Sequence, residues 1–413
     1  MTRGTPSSST GHEPALAVRR NWVLVVVLGA LSTFGPLSMD MYLPSLPSIA
    51  KELQAGTSTV QLSLTACVAG LALGQLVAGP LSDSVGRRRP LLFGLAGFVV
   101  ASLLCAFSPS IQVLLALRLV QGLCGATGLV IARAIVRDLY SGVAAARFFS
   151  RLMLVSGLAP ILAPLVGGQL LRVTTWRGVF VFLAIVGVLI FLAALFGTPE
   201  TRPAGLRHAR GAGRTAATFG RLLRDPHLVG YALACGLGFA TMFAYISGSS
   251  FVIQDIYGAS PQLFSAVFAV NALGLALLGQ VNGQLVSRFA LRKLMTVGLL
   301  INGAAALAVL AGVTANLHGL APLLVPLFCV VASQGLILPN GTALAMQSHP
   351  ESAGTASALV GAIQFTLGAI VAPLVGLGGS HTALPMALVM AAVAVSALAV
   401  VRLTVRRPVR EAA

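Results

Sequence analysis

The sequence predicts an all-α membrane protein of twelve transmembrane helices in two pseudo-symmetric six-helix bundles, and three observations carry that expectation. Hydrophobic residues make up 57% of the 413 and charged residues only 9%, far from the composition of a soluble globular domain. Twelve apolar runs can be placed along the chain, each near the roughly 20 residues that cross a bilayer as helix. The third observation is a repeat: "GQLVAGPLSDSVGRRRPLLFGL" from Gly74 returns in degraded form as "GQVNGQLVSRFALRKLMTVGL" from Gly279, with one gap. Each copy sits between the second and third run of its half, as duplication of a six-helix unit would leave it. Parallel halves related by an axis along the membrane normal, with substrate bound near the midplane between them, are the architecture of one transporter class.

Taken in order, "MTRGTPSSSTGHEP" reads as part of a polar cytoplasmic tail over 1–20. The first run is too long and too poor in small-residue cleavage signals for a removable signal peptide. The first bundle, 21–197, has runs starting near Trp22, Val60, Leu91, Ile111, Phe148 and Val179. Within its second run, "GLALG" from Gly70 to Gly74 has the small-xxx-small spacing that lets helix backbones approach. Within its fifth, Pro160 and Pro164 each remove a backbone hydrogen bond, while Gly167 and Gly168 allow close approach to the opposite half, so a shaped, bendable helix is expected at the interface. The Arg-, Gly- and Ala-rich connection "GTPETRPAGLRHARGAGRTAATFGRLLRDPH" follows, a cytoplasmic loop over 198–226. The second bundle, 227–402, has runs starting near Leu228, Leu263, Leu294, Leu320, Ala353 and Ala383, and 403–413 form a second cytoplasmic tail.

The formal net charge of +17 is explained by position. With the chain starting in the cytoplasm and alternating sides, Lys51, Arg172 and Arg177 fall outside, Arg118 lies within a helix, and the other 23 of the 27 Lys and Arg fall inside. That asymmetry is the positive-inside rule and puts both termini in the cytoplasm. No basic patch carries the interleaved aromatics that base stacking needs, so nucleic acid is not an expected partner. The partners expected are the lipid bilayer and a small molecule.

All five cysteines lie in apolar runs without paired spacing, so neither a disulfide framework nor a metal site is expected. The six histidines lie in tails, loops or helix ends, so proton chemistry within the membrane must rest on carboxylates. No phosphate-binding loop of the G-x-x-x-x-G-K-[ST] type is present, which excludes ATP as the driver on this reading. A membrane-embedded enzyme needs an acid, a base or a metal clustered at one depth, and no second acid lies near Asp40. The protein is expected not to be an enzyme and to need no cofactor other than a proton as coupling ion.

Between the second and third runs stands "GPLSDSVGRRRP", one acid, a Gly able to take positive φ and three Arg in a short loop. It resembles the loop signature of the major facilitator superfamily, G-x-L-x-D-x-x-G-R-[KR]-[KR], at Gly79, Leu81, Asp83, Gly86, Arg87, Arg88 and Arg89. The fourth run carries "RLVQGLCGATG", similar to the R-x-x-Q-G-x-x-[AG] signature of proton-coupled members at Arg118, Gln121, Gly122 and Gly125. The fifth carries "SGLAPILAPLVGGQL", which resembles the antiporter signature G-P-x-x-G-G at Pro164, Gly167 and Gly168, with Ala163 in place of the usual first Gly. The stretch "GPLSMDMYLPSLPSIA" resembles the first helix of twelve-helix drug:proton antiporters of the bicyclomycin and chloramphenicol resistance (Bcr/CflA) branch. The resemblance implies proton-coupled efflux of small lipophilic compounds, such as chloramphenicol- or bicyclomycin-type antibiotics, across the inner membrane by a monomer. An endogenous metabolite, an amino acid derivative or a sugar, carried on the same fold is the alternative.

One carboxylate, Asp40, stands among apolar residues. A charge at the bilayer centre costs about 2.5 to 3.5 kcal/mol on insertion scales, so it is expected to be functional. Asp40 is placed within about one turn of the outer end of its helix and Arg118 roughly 10 Å in from the same face, at 1.5 Å per residue. The two are expected to couple protons: an opposite charge favours an ionised carboxylate, a dry site favours the neutral acid, and two conformations can differ in which dominates. At the inner face, Asp83 is expected to cap a neighbouring helix and an Arg to pair with Asp138, forming with Gly79, Gly86, Arg87 and Arg88 a gate that closes the inside of the outward-facing state. The superfamily lines its cavity with the first, fourth, seventh and tenth helices. Carried to this chain, that implies Phe34, Met39, Tyr42, Gln121, Phe239, Met242, Tyr245, Gln334 and Asn340, with Asn271 on the eighth, as a mostly apolar lining with a few amides.

Overall fold

The computed structural model describes residues 24–140, 142–202, 220–315, 319–347, 353–379 and 381–405. The expected tail over 1–20, most of the loop over 198–226 and most of the tail over 403–413 lie outside them.

The first span is broken into helices α1 (Leu24–Ser32), α2 (Phe34–Asp40) and α3 (Leu46–Glu52), with a 3-10 turn over Leu43–Ser45. Its two parts bend by 41° at Thr33. Pro36 has no N–H to donate to the Ser32 carbonyl, which accounts for the break. Beyond it run α4 (Thr57–Val85), α5 (Arg88–Ala106), α6 (Ile111–Leu139), α7 (Gly142–Leu170) and α8 (Trp176–Gly197). The second half contains α9 (Pro226–Phe251, continued by a π turn over Val252–Ile256), α10 (Pro261–Leu285), α11 (Leu291–Thr314), α12 (Ala321–Ala332), α13 (Gln334–Gln347), α14 (Ala353–Val375) and α15 (Leu384–Val405). Helices α12 and α13 are one span broken at Ser333. Among the described residues, ten helical spans are long and apolar enough to cross a membrane, and the bent first pair makes an eleventh. The twelfth segment is α7, whose apolar part runs over Val155–Leu170.

Equivalent spans pair in both halves. Helix α4 packs on α6 as α10 packs on α12 and α13, α5 on α8 as α11 on α15, and α2 on α7 as α9 on α14. The α4 and α6 backbones touch because glycine permits it: a Cβ at Gly70 would sit 2.1 Å from the Leu119 carbonyl oxygen, and one at Gly122 2.1 Å from that of Cys67. The halves meet along α4 with α14 and α7 with α10.

Inner and outer ends are named by the charge asymmetry of the sequence. Contacts between halves gather at the outer end, where six side-chain hydrogen bonds cross among the described residues, three from each half and all onto backbone carbonyls. Ser58, Gln61 and Thr65 reach Pro373, Ser247 and Ala369; Ser250, Gln254 and Gln262 reach Leu43, Pro44 and Gly168. Toward the inner end, no side-chain hydrogen bond among the described residues crosses between the halves. The molecule is sealed outside.

One expectation is corrected. The first span does not end near Asp40: Pro44 and Pro47 break its helix without ending it, and the buried face continues through Tyr42, Leu43, Leu46 and Ile49. Asp40 stands twelve positions before Glu52, about 18 Å of helix at 1.5 Å per residue, well inside the span.

Candidate functional site

Arg118, seven positions into α6, is wholly buried. Its Nη1 donates to Gln121 Oε1, one turn along the same helix, and Gln121 Nε2 donates to Ser102 Oγ of α5 at 2.7 Å. The guanidinium lies over the Tyr42 ring, 4.3 Å from its centroid, and 5.7 Å from that of Phe180, a cation–π arrangement strengthened by desolvation. The Tyr42 hydroxyl and Ser63 Oγ share a hydrogen bond of 2.8 Å. Arg118 Nε and Nη2 have no hydrogen-bond partner among the described residues.

Asp40 is buried at the end of α2 and makes no hydrogen bond or ion pair among the described residues. It does not pair with Arg118 in this conformation. Tyr42 takes that place: two positions along a helix turn the chain by about 200°, so residues 40 and 42 cannot both face α6. The centre of the first half thus holds an unpartnered acid and a buried cation short of acceptors, an arrangement that rewards a proton on one or a rearrangement that joins them.

Helix α7 meets both neighbours through adjacent glycines. A Cβ at Gly167 would lie 1.9 Å from the Met41 carbonyl oxygen, in the same half; one at Gly168 would lie 2.3 Å from Ser265 Oγ, in the other. Pro160 and Pro164 both lie inside this helix.

At the inner end, Gly86 ends α4 with φ of 105°, a region L side chains avoid. The reversal points Arg87 back across the bundle. Its Nε donates to Asp138 Oδ2 at 2.8 Å, and its Nη1 meets Asp83 Oδ1 and Ser82 Oγ, each at 2.7 Å. Burial pulls the Arg87 pKa down, but the carboxylates of Asp138 and Asp83 outweigh it and hold it above the ordinary guanidinium value. Gly79 lies in the last two turns of α4, and Arg88 Nη2 donates to the Leu195 carbonyl at 2.7 Å.

Asp83 caps no helix, because it lies in the last turn of α4, where carbonyls rather than amides are free. The cap is Glu200, which by sequence lies in the loop over 198–226: its Oε1 and Oε2 accept from the Arg87 and Arg88 amides at 2.8 and 3.2 Å. Arg202 adds an ion pair to Asp83 at 3.2 Å. These partners belong to the first half and to the start of the loop that follows it, none to the second half, so in this state the cluster staples the first half together. Arg87→Gln is expected to cost about 2 kcal/mol, a buried pair discounted for the partly exposed acids, with Arg87→Lys recovering only part because the fork is lost; thermal unfolding in detergent measures both.

The expected cavity lining is largely packed away. Phe34 meets Phe98 edge-on at 4.5 Å inside the first half. Tyr42 and Gln121 are engaged around Arg118 as described. Asn271 Nδ2 donates to the Tyr245 hydroxyl at 2.8 Å, and Tyr245 stacks on Phe268. Gln334 Nε2 reaches the Gly238 carbonyl at 3.0 Å, and Asn340 Nδ2 reaches Asn282 Oδ1 at 2.7 Å. Met242 is buried as well. The reason is physical: an amide or hydroxyl in an apolar bundle must find a partner, so these groups tie helices together. Met39 and Phe239 remain half-buried, and Phe239 packs on Phe243 and on Phe365, which the sequence reading did not single out.

The family model described as Major Facilitator Superfamily matches residues 28–373 and 233–412. An uncharacterized MFS-type transporter, YdgK of Bacillus subtilis, is 43% identical over 90% of this chain and 92% of its own. A bicyclomycin resistance protein homolog of Haemophilus influenzae is 32% identical over 94% and 98%, and a chloramphenicol resistance protein of Pseudomonas aeruginosa 30% over 85% and 82%. Among solved structures, a bacterial homolog of the human lysosomal transporter Spinster, inward-facing and unoccupied, superposes with a TM-score of 0.75 at 18% identity, covering 96% of this chain and 98% of that one.

Proposed function

The chain belongs to the Major Facilitator Superfamily, as a multi-pass membrane transporter of its drug-resistance branch rather than an enzyme, and we propose that it exports small lipophilic antibiotics of the chloramphenicol or bicyclomycin type in exchange for protons. It works in the inner membrane as a monomer with both termini in the cytoplasm. The observation that carries the coupling is a buried Asp40 with no hydrogen bond or ion pair among the described residues, in the same six-helix half as the buried Arg118. Asp40 takes a proton when the halves open outward and releases it in the inward-accessible state, the one whose outer end is sealed. Drug leaves outward on the protonation half of the cycle.

The driving force suffices for this. At 100 mV one inward charge supplies about 2.3 kcal/mol and one pH unit about 1.4. Together they sustain a roughly 500-fold gradient of a neutral compound per proton. The half-buried Met39, Phe239 and Phe365 offer apolar and aromatic surface suited to such a compound.

Expression in a bacterium stripped of its own exporters tests the reading. Labelled chloramphenicol or bicyclomycin should accumulate several-fold less than in the control, and a protonophore should erase the difference. Accumulation equal to the control for both drugs would turn the reading toward a metabolite.

A further inference from the structure

The prolines of "LPSLP" do more than bend the first span. Pro47 cannot donate to the Leu43 carbonyl, and the chain passes through a 3-10 turn over Leu43–Ser45. The carbonyls of that turn are taken by the other half: Ser250 Oγ donates to Leu43 at 2.6 Å and Gln254 Nε2 to Pro44 at 3.1 Å. Gln254 Nε2 also donates to Ser250 Oγ at 2.8 Å, so the two side chains, one turn apart on α9 and its π continuation, act as one unit. A residue further on, Asp255 meets Lys51 of the first half at 4.0 Å. Above the contact lies an outer cavity of about 430 Å³ that Pro44, Pro47, Gln254 and Asp255 help to line.

We propose that Ser250 and Gln254 form the outer latch of the transport cycle, positioning residues that hold the outward end shut by binding the carbonyls of the proline-broken segment. The latch must part for drug to leave outward. A side chain donating to a main-chain carbonyl suits this task, because the acceptor is placed by the prolines and is readily hydrated once the halves separate. The inference rests on the alternating-access reading.

The test reads conformation rather than transport, so a failure of drug or proton specificity leaves it interpretable. Probes are attached to cysteines introduced at Val173 and His381, exposed outer positions in the two halves. Cys124 and Cys329 are replaced by alanine, the other native cysteines being buried. In Ser250→Ala and Gln254→Leu the distance between probes is expected to lengthen, each removed donor raising the outward-open population roughly fivefold. Gln254→Glu sharpens the result. Its ionised carboxylate has no hydrogen to offer the Pro44 carbonyl, whereas the protonated acid does, so this variant should open at high pH and close at low pH relative to the parent. Lys51, Glu52 and Asp255, the charged groups around the cavity, are shared with the parent, which is the control for their titration. Unchanged distances in the Ala and Leu variants, or an opening of Gln254→Glu that ignores pH, would overturn the latch.

Discussion

Asp40→Asn is expected to abolish accumulation of drug against a gradient while leaving drug exchange across the membrane intact. Asparagine keeps the size of the side chain and much of the shape of the neutral acid, so the bound-drug conformations survive. What disappears is the group that changes protonation state between them. The loss is large: a gradient of roughly 500-fold per proton falls to none. Stability should move the other way. The carboxylate has no partner among the described residues, and removing an unpaired charge from an apolar bundle is neutral or stabilising. Counterflow, gradient-driven uptake and thermal unfolding on one preparation check all three statements. A variant that still concentrates drug would make Asp40 a structural residue.

The second large effect separates two adjacent glycines. Gly167→Ala would drive a methyl group into the Met41 carbonyl oxygen and carbon, at 1.9 and 2.9 Å. These are backbone atoms of the same half and cannot give way, so a loss of about 3 kcal/mol is expected. Gly168→Ala meets Ser265 Oγ at 2.3 Å and the Pro261 carbonyl oxygen at 3.2 Å, both across the interface. There the halves can part. This variant should fold with near-parental stability yet populate the outward-open state, and Ser265→Ala, which removes the Oγ, should restore much of the closure. Unfolding midpoints together with the outer-end distance distinguish the two, and equal behaviour of the two variants would contradict the assignment.

The spans, the repeat and the loop staple were legible because each leaves a local trace. Apolar length marks a span, Gly86 marks a positive-φ reversal, and scarce acids such as Asp83 and Asp138 stand out beside three arginines. The continuation of the first span was not legible, because only the packed structure shows that the face around Pro44 and Pro47, Tyr42 to Ile49, stays buried. Glu200 was hidden for a related reason. It belongs to a loop by sequence but reaches the α5 amides through the position of α8, a tertiary fact. The amides expected in the cavity point the same way: composition says that a polar group is buried but not whether it faces a ligand or another helix, and Asn271, Gln334 and Asn340 face helices. The outer seal uses carbonyl acceptors, which every residue has and no sequence pattern reveals.

The central claim is that drug movement is obligatorily exchanged for protons through Asp40. Purified protein in liposomes loaded with a pH-sensitive dye, given chloramphenicol across the membrane, tests it most directly. The account predicts proton movement opposite to the drug, saturating with drug and absent in Asp40→Asn. Drug movement by the parent with no accompanying change of internal pH, or full coupling in the asparagine variant, would contradict it.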